Sequence, residues 1–179
     1  MQLRKIQWAN PAVTALLAFA ALAVMPPSVR ADEKLIFGQI SGVSCQGAGD
    51  NAFPGFAASS FSFGDTLATD AASGLATGKA TFQNISVVKG LDDCTPVLFE
   101  AVAKGTQSAT ATLTVVAKGG KTPLLVIQLT SVIVNSDKFT EGAAHELDEV
   151  VTLSYRKITI THVPSGKTVT IDVATNSAT

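Results

Sequence analysis

The sequence predicts a mainly β domain, an antiparallel β-barrel or sandwich with one short α-helix packed on its side. Three observations lead there. Apolar side chains recur at every second position through most of the chain beyond residue 31, the period of a strand with one buried face. Clusters of glycine, proline and serine punctuate these stretches at hairpin spacing. Only one segment after residue 31, Thr95 to Gly105, carries both a start and a stop signal for a helix.

Leu35 to Ile40 is a short apolar strand ended by Ser41-Gly42, and Phe56 to Phe63 sets Phe61 and Phe63 on one face with Ser60 and Ser62 on the other. Gly47 to Gly55 has little to bury and reads as an exposed loop, as does Thr66 to Gly78, rich in Ala, Thr, Ser and Gly. A strand from Lys79 to Val88 leads to the helix, for which Thr95 is the expected N-cap, Pro96 the first helical residue and Gly105 the left-handed terminator. Over Pro96 to Lys104, Val97, Leu98, Ala101 and Val102 form an apolar stripe, while Glu100 and Lys104 make an outward i,i+4 pair. Ala109–Ala117 and Leu124–Asn135 form a hairpin across Lys118-Gly119-Gly120-Lys121. Inward parity changes between Leu129 and Val132, which predicts a bulge near Thr130-Ser131. A polar loop, Ser136 to Glu146, follows. The last hairpin joins Glu149–Val163 to Lys167–Ala174 through Pro164-Ser165-Gly166, with a second parity change and bulge at Arg156-Lys157.

The first 31 residues read as an address. Two positive charges precede an unbroken apolar run from Ala15 to Met25, Pro26-Pro27 breaks it, and Val29-Arg30-Ala31 offers small residues at the positions signal peptidase reads. Cleavage is expected between Ala31 and Asp32, which divides the chain into a signal peptide, 1–31, and one β domain, 32–179. The run is shorter than the roughly 20 residues of a spanning helix, so no stable membrane insertion is expected after cleavage, and the location is periplasmic or secreted. Export places Cys45 and Cys94 where a pair of thiols tends to close, so a bridge is favoured over two buried thiols.

The chain has 13 Lys+Arg against 14 Asp+Glu. Beyond residue 31 the balance is 10 basic to 14 acidic side chains, with no basic run and few aromatics, which gives no footprint for nucleic acid. No constellation assembles a catalytic or cofactor site. His145-Glu146-Leu147-Asp148-Glu149 lacks the spacing that sets two imidazoles on one helical face, so a solvated acidic loop is the better reading. His162 has no recognisable nucleophile elbow or partner. Asp92-Asp93 sits where a helix start favours acidic residues anyway. Gly119-Gly120 is a turn and not a phosphate cradle, and the sequon Asn84-Ile85-Ser86 falls in a predicted strand. The expectation is no enzyme, no cofactor and no metal.

The ordered set of short motifs is the more informative signal. Gly78-Lys79-Ala80-Thr81-Phe82-Gln83-Asn84-Ile85-Ser86, then Lys89, Asp92 and Thr95-Pro96-Val97-Leu98-Phe99, resembles the Hcp (hemolysin-coregulated protein) family, the tube protein of type VI secretion systems. Ala109-Thr110-Ala111-Thr112-Leu113 and Leu129 through Val134 are similar to the strands that family places after its helix. Glu149 through Ile158, including Leu153 and Lys157, is similar to its final segment. Upstream, Gly42 and its neighbours resemble the family's opening turn, with Val43 where a glutamate is usual, and Ser60-Phe61-Ser62-Phe63-Gly64 resembles its second strand.

The resemblance implies a compact β-barrel-like fold with a helix on its side, homohexameric rings, stacking into a tube, and effector proteins carried in the lumen. A leader peptide departs from a tube assembled in the cytoplasm, and it keeps a second reading open: an exported ligand- or protein-binding module on the same fold.

Overall fold

The computed structural model describes residues 34–45, 53–141 and 146–179. The expected leader and the expected cleavage site at Ala31 and Asp32 lie outside the described residues, as do 47–52 of the first predicted loop and His145. Twelve strands and one α-helix are described: β1 Lys34–Ile40, β2 Phe56–Ala58, β3 Ser60–Ser62, β4 Asp65–Thr66, β5 Thr81–Phe82, β6 Ile85–Gly90, α1 Thr95–Lys104, β7 Gln107–Ala117, β8 Pro123–Glu141, β9 Leu147–Ser154, β10 Lys157–His162, β11 Lys167–Asp172 and β12 Ser177–Ala178.

All pairings are antiparallel, and β8 organises them. One edge of β8 carries β7, followed by β1 and β2. Its other edge forks, with β10 against Leu125–Thr130 and β9 against Ile133–Glu141. From β9 the sheet continues to β6 and β3. Because β2 and β3 are separated only by Ser59, whose N–H donates to Val88 O at 2.8 Å, the chain steps from the β1 edge to the β6 edge and gives the sheet its barrel-like form.

The core is what the alternation predicts. Ile85 and Val87 from β6, Val151 and Leu153 from β9, Ile127, Leu129, Val132 and Val134 from β8, and Leu113 from β7 point inward, and Leu98 and Ala101 of α1 close over them. Both predicted parity changes are present, but neither is a bulge in a ladder, the register shifts lying at Val115/Val116 and Val134/Ser136. Ser131 has φ of 54°, a left-handed conformation between the inward Leu129 and Val132, and the predicted strand Glu149–Val163 is two, β9 and β10, parted at Tyr155-Arg156 so that Ile158 turns inward. One glycine is dictated by packing: a Cβ on Gly38 would lie 2.3 Å from the ring of its cross-strand partner Phe56.

Four expectations need correction. Phe56–Phe63 is not one strand but β2 and β3. Lys79–Val88 splits into β5 and β6, which leaves Asn84 exposed between strands and not within one. Ser136–Glu141 is not loop: β8 runs through it, held by β9, so a stretch that reads as polar is strand because its backbone is paired. The helix is capped at Cys94, not Thr95, with the Cys94 N–H donating to Asp92 Oδ1 at 2.8 Å. Pro96 and left-handed Gly105 stand where predicted, and Glu100 and Lys104 are paired.

Candidate functional site

Two features stand out once the strands are placed. The first lies under the start of α1. Lys89 and Glu149 are cross-strand partners at the ends of β6 and β9, on the face the helix covers, and both side chains are 0% exposed. Lys89 Nζ donates to Glu149 Oε2 at 2.7 Å and to Gly90 O at 2.8 Å, lies 2.7 Å from Asp92 Oδ1 and is within 3.1 Å of Thr95 Oγ1. Thr95 gives its hydroxyl proton to Glu149 Oε2 and accepts the Asp92 N–H at 3.1 Å. The Lys89 ammonium also stands 5.9 Å from the centre of the Phe56 ring. The side chain expected to cap the helix therefore welds two strands to its first turn.

Asp137, one step along the same face of β8 where it pairs with Val151, joins this cluster. Burial pushes its carboxyl up to about 6, the Glu149 charge adds to the rise and Lys89 opposes it. Cys45 and Cys94 are bonded, with Cα atoms 4.9 Å apart, so the segment after β1 is tied to the residue that caps the helix.

The second feature is an arm, residues 65–82. Its predicted loop character is half right: residues 65–79 are all exposed, yet the backbone is ordered. Asp65 pairs with Phe82 and Thr66 with Thr81, and Thr69 bridges Ala76. At the tip Asp70 Oδ1 accepts from the Ala72 and Ser73 N–H groups at 3.1 and 2.8 Å, which holds this carboxyl below its usual range. Leu67 and Leu75 stand out from the arm at 51% and 70% exposed. At its base, Asn176 Nδ2 donates to Ala80 O at 2.7 Å and the Tyr155 hydroxyl to Gln83 O at 3.0 Å.

The remaining motif residues serve the frame. Leu98, Leu113, Leu153 and Ile158 are core, Gly42 has φ of 82° in the turn after β1, and Gly78, Lys79 and Lys157 are exposed. Phe82 lines a hollow at the arm's base with Phe63 and Tyr155, and Phe99 is exposed against Phe139, ring centres 6.4 Å apart. Asp137 and Phe139 escaped the sequence reading because both fall in the supposed loop. His162 Nδ1 and Ser165 Oγ are 2.8 Å apart across an exposed turn closed by Gly166, where they tie the turn together. Among the described residues no group of three or more His, Cys, Asp or Glu is placed to hold a metal ion, and no helix is long and apolar enough to cross a membrane.

A forked β-barrel-like sheet, one docked helix and a projecting arm define a protein of the type VI secretion class. The family model described as "Type VI secretion system effector, Hcp" matches residues 40–162, which takes in cluster, arm and helix, and the chain belongs to the Hcp family. Among solved structures it resembles Hcp1 from Salmonella typhimurium at 22% identity and a TM-score of 0.68, over 82% of this chain and 99% of that one. It also resembles a type six secretion system protein at 20% identity and 0.69, over 82% and 100%. A third, an Hcp protein, is 20% identical at 0.68, over 77% and 98%. No curated protein matches the chain.

Proposed function

We propose that the chain is a structural component of type VI secretion whose residues 32–179 assemble into homohexameric rings, which stack and carry small effector proteins. The observation that carries this reading is the arm. A two-stranded ribbon is marginal alone in water, and residues 65–79 of this one are all exposed, so its two outstanding leucines call for cover from a neighbouring copy. A patch that meets a different patch on the next copy closes into a ring when the rotation allows.

The leader and the Cys45–Cys94 bond belong together, since disulfides persist in oxidising compartments. Together they support an assembly in the periplasm or the exterior, detached from the membrane after cleavage. The role is structural, without catalysis, cofactor or nucleic acid. The hollow beneath the arm, lined by Phe63, Phe82, Tyr155, Ile158, Ile160 and Ile171, favours the second reading, a binding module. Its cavity volume of about 50 Å³ is far below the roughly 300–1,000 Å³ of small-molecule sites, which keeps that reading second.

Light scattering after size exclusion, with and without reductant, tests the proposal. A sixfold mass is expected, with Leu67→Ser/Leu75→Ser reducing it to one copy at unchanged melting temperature. A monomer in both conditions overturns the ring and moves the binding module to first place.

A further inference from the structure

The cluster under α1 has fewer hydrogens than its oxygens require. Lys89 has three protons and spends them around Glu149 Oε2, Asp92 Oδ1 and Gly90 O, with Thr95 Oγ1 alongside. Thr95 has one and gives it to the same Glu149 oxygen. Glu149 Oε1 and both oxygens of Asp137 are shielded from solvent and receive no hydrogen bond. Buried acceptors are normally satisfied, and three orphans in one place call for a missing positive charge or hydrogen. The charge count agrees: one ammonium faces the carboxyls of Asp92, Asp137 and Glu149, a net −2 if all are ionised.

A metal ion answers this poorly. Only two carboxyls have buried oxygens without a partner, the Lys89 ammonium sits 2.7 Å from the other oxygen of Glu149, and no three-ligand group gathers among the described residues. A proton answers both deficits. Placed on Asp137 it makes that carboxyl a hydrogen-bond donor beside the Glu149 charge, and it removes one negative charge.

We propose that Asp137 and Glu149 form a proton-binding site, a carboxyl pair that shares one proton beneath α1 and ties the far half of β8 to β9. The groups that face the pair are Lys89 from β6, Asp92 from the turn before the helix and Thr95 from α1 itself. Burial and the neighbouring Glu149 charge hold the Asp137 proton up to about pH 6, against the pull of Lys89. The joint is closed in mildly acidic surroundings. When the proton leaves, two carboxylates repel at the place where Phe139 of β8 meets Phe99 of α1. The device stands apart from ring formation and holds for a single copy.

The sign follows from linkage. The native chain holds a proton on Asp137 that the unfolded chain has already lost, so this group's contribution to stability falls as pH rises from about 4 to about 6 and is flat above. The test is a pH titration of the ¹³C-labelled carboxyl carbons in the whole chain, with melting curves alongside. Asp137 is expected to titrate at about 6, and Glu149→Gln to lower that midpoint by about one unit or more. Asp137→Asn, whose amide donates permanently, is expected to melt above the parent beyond pH 6, with the gap closing by pH 4. A parent midpoint below 5, a gap of equal size at every pH, or stabilisation by calcium or magnesium that Asp137→Asn abolishes would overturn the proposal. The parent's titration decides it even if a variant fails to fold.

Discussion

Lys89→Met removes the ammonium from the most buried polar contact in the described residues and leaves Glu149 fully enclosed, since both side chains are 0% exposed. At 2.7 Å the pair's Coulomb attraction is about 6 kcal/mol at an effective dielectric of 20, which is offset in part by desolvation of both charges. The loss is bounded by a second route. A stranded carboxylate can take a proton, and moving a glutamic acid from its solution value near 4.3 to protonated at pH 7 costs about 3.7 kcal/mol. Removing one partner of a buried pair typically costs about 3–5 kcal/mol, so a loss of about 3–4 kcal/mol at pH 7 is expected. The protonation route becomes cheaper as pH falls, and at pH 5.5 the loss shrinks to about 2 kcal/mol. Urea unfolding at the two pH values reads both numbers. Lys89→Met/Glu149→Leu removes the pair together and is expected to regain at least half of the loss. A loss under about 1 kcal/mol at pH 7, or an equal loss at both pH values, would refute the ion-pair reasoning and leave only side-chain packing.

Gly38→Ala puts a Cβ 2.3 Å from the ring of Phe56, which is itself buried and cannot swing aside; denaturant melts are expected to show a loss of about 2–3 kcal/mol, and a loss below 0.5 would mean that β1 can retreat. Reducing the Cys45–Cys94 bond, 49 residues apart in sequence, removes up to about 4 kcal/mol of chain restriction. Melting with and without reductant checks it, and unchanged stability would show that the unfolded chain gains nothing from release. At Ser131, held at φ of 54°, glycine is expected to be more stable than serine by about 0.5 kcal/mol and valine less stable by about 1–2 kcal/mol. The reverse order in calorimetry would place the strain elsewhere.

How far the sequence was legible depended on the range of the interactions involved. Alternation is local, so β6, β7, β9 and the core half of β8 were readable, and so were both parity changes, because such a change shows in a handful of residues. Residues 136–141 were misread because a register shift between Val134 and Ser136 breaks the alternation, after which Asp137 is enclosed by a neighbouring strand rather than by any pattern of its own. Thr95 was misread for a similar reason: its hydroxyl is drawn to Glu149, 54 residues away, and the cap falls to Cys94, whose N–H is held by Asp92. Lys89, Asp92 and Glu149 were singled out by the ordered resemblance, which named the residues without the contact that unites them. The arm was legible as exposed from its composition, but its order comes from a ladder and an aspartate-closed turn that composition does not show.

The two features divide the work of the fold between them. A ten-residue helix is marginal alone, and α1 buries only Leu98 and Ala101 fully, so packing of its apolar stripe is a weak anchor. Its hold comes from the first turn, where the disulfide at Cys94, the Asp92 hydrogen bond to the Cys94 N–H and the Thr95–Glu149 hydrogen bond converge within four residues. The far end has the glycine cap and the exposed Glu100–Lys104 pair, and Phe99 at mid-helix stands exposed beside Phe139. Helix and arm thus have opposite economies. The helix is fixed at one point by interactions internal to the chain, and a change of charge there reaches β6, β8 and β9 together. The arm is held by its own ladder and leaves residues 65–79 exposed, so changes to its leucines act on what it meets and leave the domain's stability alone.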